Sequence, residues 1–109
     1  MAASNPEGTV SPLISSSELE SRLKTGNAPI MIDVREVEEF HAGHIPGSIN
    51  MPLSSFQGLF PRIPQDQEVV LVCRSDNRSG MAQQFLRARG WSNTRNLVGG
   101  MLSWRGPVE

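Results

Sequence analysis

The sequence predicts an α/β fold with a central, mostly parallel five-stranded sheet and helices on both faces. Short apolar runs, at residues 29–34 and at Val69–Val72, alternate along the chain with segments of helical spacing. The second run is aliphatic at every position, as in a parallel strand that is buried on both faces. With 109 residues and 38% hydrophobic residues, the chain is long enough for one domain with a real core.

The N-terminal part predicts a flexible segment followed by a helix and a strand. Residues 1–12 are rich in Ser, Asn, Pro and Gly, and we interpret them as a flexible N-terminal segment with a short strand near Val10. The single domain then occupies residues 13–109. Ser17 and Glu20 have capping-box spacing, which predicts a first helix over residues 17–25. The run 29–34 predicts the next strand.

The middle of the chain predicts two helices around a short strand. Residues 36–41 are rich in acids and suit a short helix. A turn over 44–47 leads to a short strand at 48–51. Residues 52–60 carry apolar side chains at helical spacing, which favours a helix packed on the sheet.

The C-terminal part predicts the strand at Val69–Val72, a helix over 79–89, a strand over 93–98 and a short terminal helix. Gly99 and Gly100 open that last helix, which we expect to contain Leu102 and Trp104. No internal repeat is visible.

Composition narrows the function classes. The net charge of −1 gives no support for nucleic-acid binding, and no apolar run is long enough for a membrane span. The first 21 residues contain no Lys or Arg and no apolar stretch of signal-peptide type. A single cysteine excludes an internal disulfide and agrees with a reducing compartment, so we expect a cytoplasmic protein without membrane or nucleic-acid partners.

The single cysteine, Cys73, follows the aliphatic strand directly. Sites in α/β sheets lie outside the carboxyl ends of the strands, which is where this residue falls. A tight loop and a helix start follow it, so main-chain N–H groups can converge on an anion or a thiolate. Arg74 and Arg78 add positive charge, and Ser75 and Ser79 offer hydroxyl donors. The alternative is a buried structural cysteine, the common state of a free cysteine.

Three motifs resemble those of single-domain rhodaneses, a family of sulfurtransferases, over nearly the whole chain. The first joins Asp33-Val34-Arg35, then Glu39-Phe40, to Gly43-His44-Ile45-Pro46-Gly47-Ser48-Ile49-Asn50. The second is Cys73-Arg74-Ser75-Asp76-Asn77-Arg78-Ser79, which is similar to the active-site loop CR-x-G-x-RS. The third is Leu97-Val98-Gly99-Gly100-Met101 with Trp104.

The resemblance implies a rhodanese-like fold and sulfur transfer without a cofactor. Cys73 would be the nucleophile that takes sulfane sulfur from a small anionic donor such as thiosulfate. Residues of the loop would bind the donor, namely Arg74, Ser75, Asp76, Asn77, Arg78 and Ser79. The Cys73 persulfide would then pass its sulfur to cyanide or a thiol. Without a second cysteine, the acceptor must be external.

The loop departs from the family pattern at Asp76, where Gly is frequent. That position can need a positive φ, which Asp tolerates better than most residues. The charge matters more, since a carboxylate beside the thiolate disfavours it and repels thiosulfate. We therefore expect weaker activity on thiosulfate than a glycine at this position would give, which leaves a protein persulfide as an alternative donor.

Other polar residues receive structural interpretations. Asp33 and Arg35, with Glu38 and Glu39 nearby, fit an ion pair and turn better than an acid–base set. His41 and His44 are a poor ligand set for zinc, and we expect the His44 ring to bond backbone; no metal site is predicted.

Two alternative functions remain open at this point. One is a rhodanese-like module of low activity that relays sulfur or binds a protein. The other, less favoured, is a cysteine-dependent phosphatase or arsenate reductase. The dual-specificity phosphatases of this fold use HC-x5-R, whereas Val72 precedes Cys73 here and Arg78 gives the shorter Cys-x4-Arg.

Overall fold

One sheet of five parallel strands organises the computed structural model, which describes residues 11–109. The strands are β1 (Leu13–Ile14), β2 (Ile30–Asp33), β3 (Ile49–Asn50), β4 (Val69–Val72) and β5 (Thr94–Leu97). Their order across the sheet is β1-β5-β4-β2-β3, and every neighbouring pair is parallel. The α/β class and the five strands are confirmed, and the sheet is wholly rather than mostly parallel.

Within residues 11–109, five α-helices connect or follow the strands. They are α1 (Ser16–Lys24), α2 (Val37–His41), α3 (Phe56–Leu59), α4 (Asn77–Arg87) and α5 (Gly100–Ser103). Short 3₁₀ turns at Leu53–Ser55 and Phe60–Arg62 flank α3. Parallel strands require such crossovers, because the end of one strand and the start of the next lie at opposite edges of the sheet.

The two faces of the sheet carry separate apolar clusters. Val70 and Val72 point to the face that holds Leu19 of α1 and Trp104. Leu71 points to the other face. There it packs with residues of α3 and α4, which include Phe56, Ala82 and Leu86. All four residues of β4 are fully buried, which explains why this strand is apolar at every position.

The start of α1 differs from the predicted capping box. Ser15, not Ser17, is the N-cap, and its side chain accepts a hydrogen bond from the main-chain N–H of Glu18 at 3.1 Å. Serine occupies 15, 16 and 17, so the capping pattern fits two registers. The structure selects the earlier one because β1 ends at Ile14 and Leu19 must face the core.

The single helix predicted over residues 52–60 is wrong, because that segment is a series of one-turn pieces. It contains Gly58 and is bounded by Pro52 and Pro61. Proline removes main-chain donors and glycine weakens a helix, so no continuous i to i−4 ladder forms. Burial of Phe56 still anchors the segment on the sheet.

Two further boundaries were predicted wrongly at the C-terminal side. The helix α4 begins at Asn77, two residues before the predicted start, and ends at Arg87. Its first turn is polar and has no apolar periodicity that could reveal it. Trp104 follows α5 as its C-cap and does not lie within the helix.

The N-terminal strand predicted near Val10 lies outside the described residues, and β1 is found at Leu13–Ile14. Within the described part of the predicted N-terminal segment, the carbonyls of Ser11 and Pro12 accept hydrogen bonds from Arg95 Nε and from Asn96 N. Among residues 11–109, no helix has the length and apolar character that crossing a bilayer requires.

Candidate active site

The candidate site lies at the carboxyl ends of three neighbouring strands. β4 is central, with β2 and β5 on either side. Cys73 follows β4, the Asp33–Arg35 motif ends β2, and the Gly99–Gly100 pair follows β5. Because parallel strands end at one edge of the sheet, the three sequence motifs meet there.

The Cys73 side chain is almost completely enclosed. The residue keeps 1% of its surface exposed and belongs to the apolar cluster of the α3 and α4 face. Its Sγ lies 3.1 Å from the Ser79 hydroxyl oxygen. Thus a polar contact reaches the sulfur from the first turn of α4.

The six main-chain N–H groups directly after Cys73 have no hydrogen-bond partner among the described residues. Within residues 11–109, none of the N–H groups from Arg74 to Ser79 donates to a protein acceptor, and the next, Gly80 N, donates to Asp76 O at 2.9 Å. A series of free N–H groups at a strand end and a helix start is the arrangement that binds anions.

The turn after β5 fixes which way the loop faces. Met101 N donates to Cys73 O at 2.8 Å and Leu102 N donates to Arg74 O at 3.0 Å. In a trans peptide the C=O and N–H groups point in opposite directions, and the described chain contains no cis peptide. The N–H groups of Arg74 and Ser75 therefore point away from α5.

Gly100 makes this contact possible. It has a φ of +54°, and a Cβ at this position would overlap the carbonyl oxygens of Cys73 and Ser75. Glycine is required both for the backbone conformation and for the close approach. The loop and the start of α5 thus lie in direct main-chain contact.

Arg78 is held by Glu39 of α2. Two hydrogen bonds, of 2.7 and 2.9 Å, join its guanidinium to both carboxylate oxygens. Arg78 lowers the pKa of the Glu39 carboxyl from 4.5 to about 2, although burial acts in the opposite direction. The Glu39 carboxylate in turn raises the pKa of the Arg78 guanidinium. Sequence reasoning placed Glu39 with Asp33 and Arg35 and missed its contact with the cysteine loop.

Asp76 has a different backbone and a different contact from those expected. Its φ is −127°, so the position does not need the left-handed conformation. Its Oδ1 accepts a hydrogen bond of 2.7 Å from Gly99 N. Asp76 is thus the N-terminal boundary residue of α4 and a link between the cysteine loop and the turn after β5.

The remaining loop residues face outward. Arg74, Ser75 and Asn77 are exposed. An open groove of about 430 Å³ lies on this side. Its lining residues are Ser75, Asp76, Asn77, Gly80, Met81 and Gln84. Cys73 is not among them, so the groove adjoins the loop and does not hold the sulfur.

The first motif stabilises the neighbouring strand end. Arg35 forms a buried ion pair with Asp33, with Nη2 2.8 Å from Oδ2, and also donates to Gly43 O. The His44 ring stacks on Phe40, and its Nδ1 lies 2.8 Å from Phe40 O. This carbonyl can only accept, so Nδ1 carries the proton.

Asn96 is a polar residue of the site that sequence reasoning missed. It lies in β5 and keeps 6% of its surface exposed. Its Oδ1 lies 2.5 Å from Ser79 Oγ, and its Nδ2 donates to Asp76 O at 3.2 Å. A lone amide within a strand gives no sequence signal of such a contact.

In the described part of the chain, no group of three or more His, Cys, Asp or Glu side chains is placed to hold a metal ion. His44 Nε2 instead lies 3.6 Å from the Glu109 carboxylate.

Comparison with known proteins identifies the arrangement. The family model of the rhodanese-like domain matches residues 15–107. A human thiosulfate:glutathione sulfurtransferase is 34% identical over 85% of this chain and 92% of its own length. A putative sulfur carrier protein from Bacillus subtilis is 31% identical over 90% of this chain. The chain spans 53% of that protein and 63% of a second Bacillus subtilis relative.

Solved structures show the same fold. The crystal structure of a rhodanese-related protein from Thermoplasma volcanium superposes with a TM-score of 0.81 at 31% identity. The match covers 91% of this chain and 98% of that one. The residues that the family model matches include β2 to β5 and all three motifs.

Proposed function

The chain belongs to the rhodanese-like domain family, and from this premise we propose that it is a sulfurtransferase that carries sulfane sulfur as a persulfide on Cys73. The small donor is an anion such as thiosulfate, and the acceptor is a thiol or cyanide. The observation that carries the proposal is the set of free N–H groups from Arg74 to Ser79 beside the only cysteine.

The first half-reaction charges the cysteine. The Cys73 thiolate attacks the outer sulfur of thiosulfate, and the S–S bond of the donor breaks. Sulfite leaves with the electron pair of that bond, and Cys73 retains a persulfide anion. The free N–H groups receive the terminal negative charge, as in other preorganised anion sites.

The second half-reaction removes the sulfur from the Cys73 persulfide. A thiolate or cyanide attacks the terminal sulfur, the S–S bond of the persulfide breaks, and the electron pair returns to Cys73 as thiolate. The product is an acceptor persulfide or thiocyanate. The two half-reactions share one covalent intermediate, which predicts ping-pong kinetics.

Loop length favours sulfur over phosphate. Arg78 is the fifth residue after Cys73, and α4 has already begun at Asn77. Few residues thus separate the strand from the helix, which suits one sulfur atom better than a phosphate group. We expect no turnover of a phosphotyrosine mimic, and measurable hydrolysis would favour the phosphatase alternative.

Intact mass spectrometry tests the proposal. After incubation with thiosulfate, the protein should gain the mass of one sulfur atom and lose it when cyanide is added. Cys73→Ala should remain unmodified. Absence of an adduct with thiosulfate and with protein persulfides alike would refute the proposal.

One observation favours a second candidate, a sulfur relay supplied by a protein persulfide. The Asp76 carboxylate lines the groove that adjoins the loop, and its charge repels a dianionic donor. The relay predicts fast loading of Cys73 from a protein persulfide and slow loading from thiosulfate. Equal rates of loading from both donors would count against it.

A further inference from the structure

A buried chain of polar contacts links β5 to the cysteine. Asn96, Ser79 and Cys73 keep 6%, 0% and 1% of their surfaces exposed. Asn96 Oδ1 lies 2.5 Å from Ser79 Oγ, which lies 3.1 Å from Cys73 Sγ. Because these groups are shielded from water, they form their hydrogen bonds mainly with one another.

The orientation of the Asn96 amide follows from its other neighbour. One end of the amide lies 3.2 Å from the carbonyl oxygen of Asp76. A carbonyl oxygen can only accept a hydrogen bond, so the amide nitrogen must face it. The amide oxygen is therefore directed to Ser79 and can only accept from that hydroxyl.

Ser79 has one proton for three neighbours. Besides Asn96 Oδ1 and Cys73 Sγ, the carbonyl oxygen of Asp76 lies 3.3 Å from its Oγ. The contact with Asn96 is the shortest of the three. When the proton lies on that contact, Ser79 can only accept from Cys73, and this arrangement requires a protonated thiol.

We propose that Asn96 is a positioning residue that competes with the Cys73 sulfur for the hydroxyl proton of Ser79, and so sets the pH at which the thiolate forms. When the thiolate forms, Ser79 turns its proton toward sulfur and Asn96 Oδ1 loses its donor. The inference rests on the proposed function, since the thiolate is the nucleophile in that scheme.

Other charges also bear on the sulfur. Arg74 and Asp76 lie in the loop, and Arg78 lies in the first turn of α4. Glu39 pairs with Arg78 from α2, and the charge of Glu36 also acts on Arg78. None of these residues is changed in the experiment below, so their contribution is constant across the variants.

Two substitutions at Asn96 give opposite expectations. Asn96→Ala leaves the Ser79 hydroxyl proton free to bond the thiolate. Asn96→Asp instead gives that proton a charged acceptor, which competes more strongly with the sulfur. Both remove the donor to Asp76 O, so the same substitutions are also made together with Ser79→Ala to control for any loosening of the loop. A hydrogen bond to a charged group is worth about one pH unit, or about tenfold in thiolate fraction.

The experiment measures the rate of Cys73 alkylation by iodoacetamide as a function of pH. The midpoint should fall by about one pH unit in Asn96→Ala and rise by about one in Asn96→Asp. An unchanged midpoint in either variant would overturn the proposal. If Asn96→Ala does not fold, Asn96→Asp with and without Ser79→Ala decides it, because a carboxylate at position 96 also repels the thiolate directly and only the part of the rise that needs the Ser79 hydroxyl supports the proposal.

A Ser79→Ala background separates this mechanism from a general change in the loop. The double variant Ser79→Ala/Asn96→Ala should have the same alkylation midpoint as Ser79→Ala alone, because no hydroxyl proton remains to be shared. A full shift there would overturn the proposal. Alkylation needs no sulfur donor, so the result stands even if Cys73 accepts no sulfur.

Discussion

The ion pair between Glu39 and Arg78 gives a prediction for Glu39→Gln. Glutamine retains Oε1, which accepts the 3.0 Å hydrogen bond from Glu36 N and completes the capping box of α2. The substitution removes the negative charge that holds the guanidinium. Stability should therefore fall through the loss of the pair and not through unravelling of α2.

The magnitude follows from the lowered pKa of Glu39. A change from 4.5 to about 2 corresponds to about 3 kcal/mol. The side chains of Arg78 and Glu39 are 31% and 34% exposed, and solvent screening reduces the net value to about 1 kcal/mol. For a domain of this size, the melting temperature should fall by about 4 °C.

Because the pKa of Glu39 is lower in the folded state, the stabilising effect of the ion pair depends on pH in a defined direction. A carboxyl whose pKa is lower in the folded state contributes stability above its unfolded pKa and loses it as the pH falls through its folded pKa. The difference in unfolding free energy between wild type and Glu39→Gln should therefore be complete at pH 6. It should shrink below pH 4.5 and vanish near pH 2.

Urea unfolding at several pH values measures this difference. Glu38→Gln is the matched control, since Glu38 lies in the same turn of α2, is exposed and forms no ion pair within residues 11–109. The control should change stability by less than about 0.5 kcal/mol. A Glu39→Gln effect as small as that, or one that persists undiminished at pH 2.5, would refute the reasoning.

Two further predictions concern the loop and the turn after β5. Asp76→Asn should raise kcat/KM for thiosulfate about fivefold, because it removes the charge and keeps an acceptor for Gly99 N. Asp76→Gly should also raise it, though less, and a rate of sulfite release that is unchanged or lower in both would contradict this. Gly100→Ala should cost about 3 kcal/mol through overlap with the loop carbonyls. Gly58→Ala, which meets no atom within 4 Å, should leave the melting temperature unchanged or raised.

The sequence was informative where one physical requirement acts alone. A strand in the middle of a parallel sheet must be apolar on both faces, and Val69–Val72 satisfies that at all four positions. The position of Cys73 followed from the same strand, because it is the first residue beyond it. Gly100 could be identified from the resemblance, but the reason for glycine there, close contact with two loop carbonyls, is a tertiary feature that only the structure shows.

The sequence was less informative where several partners compete. Three adjacent serines offered two caps for α1, and the end of β1 at Ile14 together with the burial of Leu19 decides between them. Glu39 could pair with Arg35 or with the loop, and the crossover that places α2 beside Arg78 is a tertiary feature. Asn96 reaches Ser79 because β5 lies next to β4, an adjacency that no local pattern encodes.

The sheet order explains why the loop depends on residues far from it in sequence. β4 supplies the cysteine, and each neighbouring strand leads to a different support. The exit of β2 leads to α2, whose Glu39 holds Arg78. Asn96 of β5 contacts Ser79. The chain that leaves β5 forms α5, whose main-chain N–H groups donate to the carbonyl oxygens of Cys73 and Arg74.

These supports act on different groups of the loop, namely a guanidinium, a hydroxyl and two carbonyls. The carbonyl contacts direct the N–H groups of Arg74 and Ser75, and Asn96 directs the proton of Ser79. Asp76 adds a side-chain contact to Gly99 N, which lies on the α5 side of the loop. An acid can thus replace glycine here without disturbing the backbone, because its φ is negative and its carboxylate is held by a main-chain donor. We therefore expect the consequence of Asp76 to be electrostatic and to fall on the choice of sulfur donor and not on the fold.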